Sequence, residues 1–466
     1  RAVRGSLYWK PADNLSVSIV GDYINNNDEM TADYSFALDR TRVTAAGLTN
    51  LDLMYARYSV PAKPAFRYDE RFITGDPFTS YATYRDPIPA GTVIAGQTYY
   101  NGSLFRGGLD HGRRSPLESW GISSKIVYGL SDDIDLTLVG GYRKVDLSYS
   151  FDNDGSPLSE TLIYHRIDED HITGEARLTG RLDWIDWVAG VFFYKGTAFN
   201  GAQPMGTQAG TQRYQNTTYK PESKAGYINL NIRPIERLSF TLGGRYSDDK
   251  KAVDFNNVFD GTPPGSTVFV PNEAQSTRFK LTPYEKRFDW KLGINYELND
   301  DVLVYASAAS GYRLPRFNVR PSQPSQAQPT PGENLISYEI GAKADLFDRK
   351  VRLNMAAFYI DYKQRVLSVA GQETRLDDAR APIAGNSTVI PMAQDGATTC
   401  RTYNAATDGA RNPANGVGVT CIARTFILNS LGKVKGLEGE IDIRPVDGLM
   451  INGSVGYTSF TAPDLD

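Results

Sequence analysis

Long apolar runs are missing from this sequence. A membrane-spanning helix needs roughly 18 uninterrupted apolar residues, and the best run here, Val188 to Tyr194, is broken by Gly190. A helical membrane protein is thereby excluded. A membrane β-barrel is not, because only alternate residues of a barrel strand face lipid and the mean hydropathy stays polar. Surplus positive charge is missing too. The 50 Lys plus Arg stand against 54 Asp plus Glu, net −4, which disfavours a nucleic-acid binder. Histidine (3), cysteine (2) and methionine (6) are scarce. No Ser-His-Asp, Cys-His or metalloprotease pattern has the spacing that catalysis needs, so the sequence offers no catalytic residue and does not read as an enzyme.

What the chain does have is 28 Tyr, 20 Phe, 5 Trp and 43 Gly in 466 residues, a balance that favours β-structure rich in turns. A period of two is written into it. Leu15, Val17, Ile19, Gly21 and Tyr23 alternate with Ser16, Ser18 and Asp22, and Ile134, Leu136 and Leu138 alternate with Asp135, Thr137 and Val139. Leu238, Phe240 and Leu242, and later Leu437, Ile441 and Ile443, repeat the rule far away. Each segment reads as a strand with one polar face. Seven short breaks fall between strand pairs: Lys10 to Asn14, Ser131 to Asp133, Leu182 to Trp184, Pro234 to Glu236, Asn299 to Asp301, Asp348 to Lys350 and Pro445 to Gly448. The connections between them are long and polar: Asn25 to about Pro116, Phe151 to about Asp168, Gly196 to Lys220, Lys251 to Pro283, Leu314 to Gly332 and Val366 to Arg424.

Strict alternation of short turns and long loops is how a membrane barrel places turns on one side and loops on the other. Seven hairpins give fourteen strands. The expected fold is therefore all-β, an antiparallel up-and-down transmembrane β-barrel. Aromatics near strand ends, among them Tyr8, Trp9, Tyr23, Trp184, Trp187, Phe192 to Tyr194, Tyr246, Tyr305, Phe358, Tyr359 and Tyr362, suit interfacial girdles. A soluble sandwich is the rival, yet it would rarely send every long excursion to the same end. An open edge in lipid would cost several kcal/mol per unpaired group, so the native sheet is expected to close, with more strands after Leu449 to Phe460. The chain starts at Arg1 without Met and shows no basic-then-apolar leader; we read it as a piece of a longer protein.

The stretch Tyr305-Ala-Ser-Ala-Ala-Ser310-Gly311-Tyr312-Arg313-Leu314-Pro315, followed after a loop by Glu333-Asn334-Leu335-Ile336-Ser337-Tyr338-Glu339-Ile340-Gly341-Ala342-Lys343, resembles the TonB-dependent outer-membrane receptors. The turn Asp348-Arg349-Lys350, the returning Ala356 to Tyr362 and the segment Gly432 to Glu440 follow in that family's order, and Gly174 to Gly180 with Trp187 to Tyr194 is similar to an upstream hairpin of it. The resemblance is weak from Asn25 to Pro116. It implies a 22-stranded barrel in the outer membrane of a Gram-negative bacterium, with two strands before this chain and six after it. Residues 1–466 are then part of one receptor barrel, without the plug domain and its energy-coupling box. It also implies uptake of a scarce ligand, most commonly a ferric siderophore, powered by a TonB-type energy-coupling protein acting through the plug. Outer-membrane lipid and lipopolysaccharide would surround the wall. A passive porin and a secreted β-sandwich adhesin are the alternatives.

The candidate residues lie mainly in the long connections. Arg67, Tyr68, Arg71, Tyr81, Tyr84, Tyr99 and Tyr100 in the first, and Arg401 and Tyr403 in the last, offer guanidinium and phenol groups suited to an anionic aromatic chelate. Cys400 and Cys421 share the last connection, and a disulfide between them is expected in an oxidising compartment, worth roughly 3 kcal/mol for a loop of about 20 residues. Two titratable thiols on oxidised protein would exclude it. His165 and His171 are six apart, on one strand face but about 20 Å from each other when extended, so a solvated loop is expected there and no metal site. No cofactor is expected. Glu339, Lys343 and Asp345 share a face opposite Tyr338, Ile340, Ala342 and Ala344, and are expected to line the bore, bonded to neighbours. Arg313 and Pro315 are expected to shape a loop entrance.

Overall fold

In the chain's period-two segments every second side chain is apolar, so neighbouring strands can share one oily face and one wet face. The computed structural model describes residues 1–29, 92–94, 97–99, 114–152, 162–206, 212–260, 270–316, 329–375, 388–391 and 420–462. Their strands are β1 (Ala2–Ala12), β2 (Leu15–Glu29), β3 (Thr92–Ile94), β4 (Gln97–Tyr99), β5 (Arg114–Ser131), β6 (Ile134–Asp152), β7 (Leu162–Leu182), β8 (Ile185–Gly206), β9 (Gln212–Ile235), β10 (Leu238–Asp260), β11 (Pro271–Leu281), β12 (Tyr284–Asn299), β13 (Val302–Arg313), β14 (Glu333–Leu346), β15 (Val351–Arg375), β16 (Thr388–Pro391), β17 (Thr420–Ile443) and β18 (Ile451–Thr461). Fourteen of them pair in the order β1-β2-β5-β6-β7-β8-β9-β10-β12-β13-β14-β15-β17-β18, with β11 added to β10 and β16 to β15, while β3 and β4 pair apart. All the pairings are antiparallel. Among the described residues no α-helix occurs, and the path does not join β18 back to β1.

All seven expected turns close hairpins of this sheet. Local chemistry sets them: the Asn299 side chain accepts from the Asp301 N–H at 2.9 Å, and Gly448 takes the left-handed φ of 83° that a bulkier residue resists. The long connections are a different matter. Much of what reads as loop is ladder, since β8 runs to Gly206, β9 starts at Gln212, and β15 and β17 pair from Val351↔Ile443 out to Arg375↔Thr420. Strands of 21 to 25 residues far exceed the 9 to 11 or so that cross a bilayer. Above the headgroups no hydrocarbon demands an apolar outer face, so hydrophobic alternation disappears while pairing continues. The backbone of Gln212 to Lys220 is such a stretch.

The outward band is plainest on β12. Phe288, Leu292, Ile294, Tyr296 and Leu298 are 40–59% exposed, and Arg287, Asp289, Lys291, Asn295 and Glu297 alternate with them. One rung of direct partners runs Ile134↔Gly180↔Trp187↔Leu230↔Leu242↔Leu292↔Ala308↔Tyr338↔Tyr359, eight steps from β6 to β15. On β15 that rung holds the last apolar outward residue, Tyr359, since Asp361 follows. On β6 the last is Tyr142, eight residues beyond Ile134, with Lys144 next. The boundary thus drifts by about 27 Å along the strands over about 38 Å of sheet, an inclination of about 35°. Membrane barrel strands tilt by about 35–45°. At this tilt, Phe288 to Leu298 spans about 28 Å along the normal, close to the roughly 25 Å apolar band of such barrels. A level hydrocarbon boundary crossing inclined strands produces this drift.

The tightest apolar packing lies above the band. Phe255 and Val253 of β10 are 0% and 2% exposed, packed against Tyr219, Phe279 and Leu281. Phe255 stands opposite Phe279 with ring centroids 4.8 Å apart. There β11 takes over the edge of β10 where β12 stops, and the Lys251 N–H donates to the Pro283 carbonyl across the junction at 2.9 Å. A segment standing in water on both sides needs an apolar core of its own.

Candidate functional site: the bore-facing wall

Register decides which side chains reach the bore. Glu339 pairs with Ser307 and Phe358, on the face opposite the 46%-exposed Tyr338 and the 63%-exposed Ile340, as the alternation predicts. The Tyr305 hydroxyl donates to Glu339 at 2.7 Å. Its ring lies over Gly341, where an added Cβ would come within 2.5 Å of it. Asp345 is held by Arg352 at 2.8 Å near the turns, and Arg313 pairs with Glu333 at 3.6 Å at the far ends of β13 and β14. Tyr305, Phe358 and Phe192 do not belong to an outer girdle. Parity turns them inward, with Phe358 covering Gly436 and Phe192 lying under the Arg245 guanidinium at 5.5 Å.

Higher on the wall, alternate residues of β10 and β12 build a polar network. Arg245 stands opposite Asp289, and Ser247 opposite Arg287. Arg287 donates to Asp289 at 3.2 Å and to Asn334, and Asn334 donates to Gln364 at 3.0 Å. Ser310 donates to Asp289 at 3.0 Å, and Tyr312, under the Arg287 guanidinium at 5.8 Å, donates to Asp249. The second Asp249 oxygen is buried without a partner. Lower on β9, Tyr227 donates to Glu175. This wall is braced, wet and near neutral in sign. It suits passage or capture of a polar solute, and among the described residues it offers no cluster of metal ligands.

Sequence reasoning missed this network, although the signal was present: Glu285, Arg287, Asp289 and Lys291 occupy successive inward positions of one strand. His165 and His171 do share the inward face of β7, stacked on Tyr149 at 5.0 Å and Tyr194 at 5.7 Å. The proposed ligand residues Arg67, Tyr68, Arg71, Tyr81, Tyr84, Tyr100, Arg401 and Tyr403 lie outside the described residues, as does Cys400. The backbone of Tyr99 pairs with Thr92, and that of Cys421 with Thr374.

Comparison with known proteins bears on the same wall. The family model "TonB dependent receptor-like, beta-barrel" matches residues 40–466. The pesticin receptor of Yersinia enterocolitica is 26% identical over 286 residues, covering 61% of this chain and 39% of that protein. That of Yersinia pestis is 28% identical over 146 residues, 31% of this chain and 20% of it. This chain therefore spans well under half the length of these curated relatives, which are receptors. Among solved structures, the ferric yersiniabactin uptake receptor FyuA from Yersinia pestis superposes with a TM-score of 0.52 at 15% identity, covering 99% of this chain and 59% of that one. The siderophore receptor PiuA from Acinetobacter baumannii gives 0.54 at 14% identity, with 99% and 56% covered. Inclined strands, a two-faced wall and a family match over most of its length lead to one conclusion: the chain belongs to the TonB-dependent receptor-like β-barrel family.

Proposed function

We propose that the protein is an outer-membrane receptor of a Gram-negative bacterium that captures a ferric siderophore on its long-connection side and passes it down the bore. The observation that carries this reading is the pairing of a lipid-height apolar exterior, inclined at about 35°, with a braced polar interior on the same strands. Siderophore receptors among the structural neighbours supply the cargo class. Arg67, Tyr68, Arg71, Tyr81, Tyr84, Tyr99, Tyr100, Arg401 and Tyr403 provide the loop chemistry for an anionic chelate, and a Cys400–Cys421 bridge ties the last loop. In this reading residues 1–466 are part of the barrel, and the whole protein contributes a plug that a TonB-type protein displaces to drive import.

Uptake of radiolabelled ferric siderophores by cells expressing the whole receptor tests this. Accumulation should vanish when the inner-membrane coupling complex is deleted, while surface binding persists. Accumulation that survives the deletion refutes energised uptake and favours a passive channel.

A further inference from the structure

The upper edge of the apolar band carries charge in a set pattern. Above the outward rung Val191–Gly226–Tyr246–Phe288 come Lys224–Asp248–Lys286 and then Lys195–Glu222–Lys250, each a carboxylate flanked on neighbouring strands by two lysines. Lys224 and Lys250 both reach Glu222 at 3.1 Å, and Lys286 reaches Asp248 at 3.3 Å. Four ammonium groups against two carboxylates leave a charge of +2. With strands about 4.8 Å apart and successive rungs about 7 Å apart, the lysines, one on each of four neighbouring strands, outline a patch roughly 14 Å by 7 Å. Their side chains stay open, 61% exposed at Lys224, 47% at Lys250 and 57% at Lys286. Bonds from Lys224 and Lys250 hold the Glu222 carboxyl below its ordinary range, so it stays ionised between them at mildly acidic pH.

Two further observations point to the ligand. Directly below the patch, Phe288 and Tyr246 are 59% and 54% exposed, at the level where the oily exterior ends and lipid headgroups begin. The opposite rim has the opposite sign, since the seven hairpin turns carry nine carboxylates against three basic side chains. Phosphates are repelled there and drawn to the lysine patch. We propose that Lys195, Lys224, Lys250 and Lys286 hold the phosphates of a phosphorylated glycolipid in the outer leaflet, whose acyl chains lie along the apolar face beneath. Glu222 and Asp248 keep the lysines extended and spaced when the lipid is absent. The assignment rests on the outer-membrane reading and adds a bound lipid to it.

The test uses the full-length receptor, extracted from membranes in non-ionic detergent, with purified lipopolysaccharide and its enzymatically dephosphorylated form as probes. K195Q/K224Q/K250Q/K286Q should keep heat-modifiable gel mobility yet lose affinity about tenfold or more, while the corresponding four-arginine variant keeps it. Lys10→Gln, on the turn rim, should bind as wild type. Dephosphorylated lipid should bind wild type as weakly as lipopolysaccharide binds the glutamine variant, and raised salt should weaken wild-type binding. Undiminished affinity in the folded glutamine variant overturns the proposal, as does equal binding of the dephosphorylated lipid. Full competition by inorganic phosphate overturns it too, in favour of a free-anion site. A wild-type protein that stays monodisperse without detergent and shows no heat-modifiable band refutes the membrane reading itself.

Discussion

Arginine substitutions along β12 give the sharpest test of which face meets lipid. Phe288, Leu292, Ile294 and Leu298 are all partly exposed, so in a soluble protein replacing any of them by Arg would change stability by no more than about 0.5 kcal/mol. In a bilayer the cost depends on depth. At a tilt of about 35° each residue advances about 2.8 Å along the normal, which places Leu292 and Ile294 within about 3 Å of the band's centre and Phe288 and Leu298 about 14 Å from it. Leu292→Arg and Ile294→Arg should each cost about 2–4 kcal/mol, and Phe288→Arg and Leu298→Arg about 0–1. Asn295→Arg, between two of these positions but facing the bore, should cost little. The assay is reversible urea unfolding of the receptor in lipid vesicles, read by tryptophan fluorescence and checked by heat-modifiable mobility. A flat profile, or Asn295→Arg costing as much as Ile294→Arg, would refute the assignment of faces and the tilt together.

Phe255→Ala should destabilise the extension above the membrane by about 3–5 kcal/mol, seen as early proteolysis of that segment, while the heat-modifiable barrel band is unchanged because the residue lies outside lipid. Gly341→Val should place side-chain atoms where the Tyr305 ring now sits and break its bond to Glu339. A loss of about 1–3 kcal/mol is expected, measured as a lower Tm, and an unchanged Tm would show that the ring can move at no cost.

The parts of the fold legible in the sequence are those where lipid acts on one face. Phe288 to Leu298 alternates because hydrocarbon tolerates no charge on one side and the bore tolerates it on the other, so strand, face and hairpin turn can all be read from the residues. Gln212 to Lys220 lies beyond that constraint, and its ladder is invisible to a pattern of period two. The polar network of Arg287, Asp289, Asn334 and Gln364 was half legible. Alternation shows that Arg287 and Asp289 face inward. It does not show that Asn334, two strands away across β13, meets the same guanidinium, because strict alternation from the outward-facing Tyr338 would put Asn334 on the lipid side. Tyr305 misled for a related reason, since an aromatic near a strand end suits a girdle by position and the bore by parity, and parity decides.

Parity also explains why the segment from Tyr305 to Lys343 carries so recognisable a pattern. Tyr305 and Gly341 are direct partners, and Glu339 lies two positions along β14 on the same face. A phenol can reach that carboxylate only by lying flat across the intervening wall, and a side chain at 341 would hold it off. Glycine clears the path, tyrosine covers the exposed backbone, and glutamate takes the hydroxyl. On the reverse face of the same strand, Tyr338 and Ile340 need only be oily. A motif that looks like a recognition site is therefore accounted for by packing at the bore wall, where a carboxylate facing water is tied down instead of left free to catch a passing ligand.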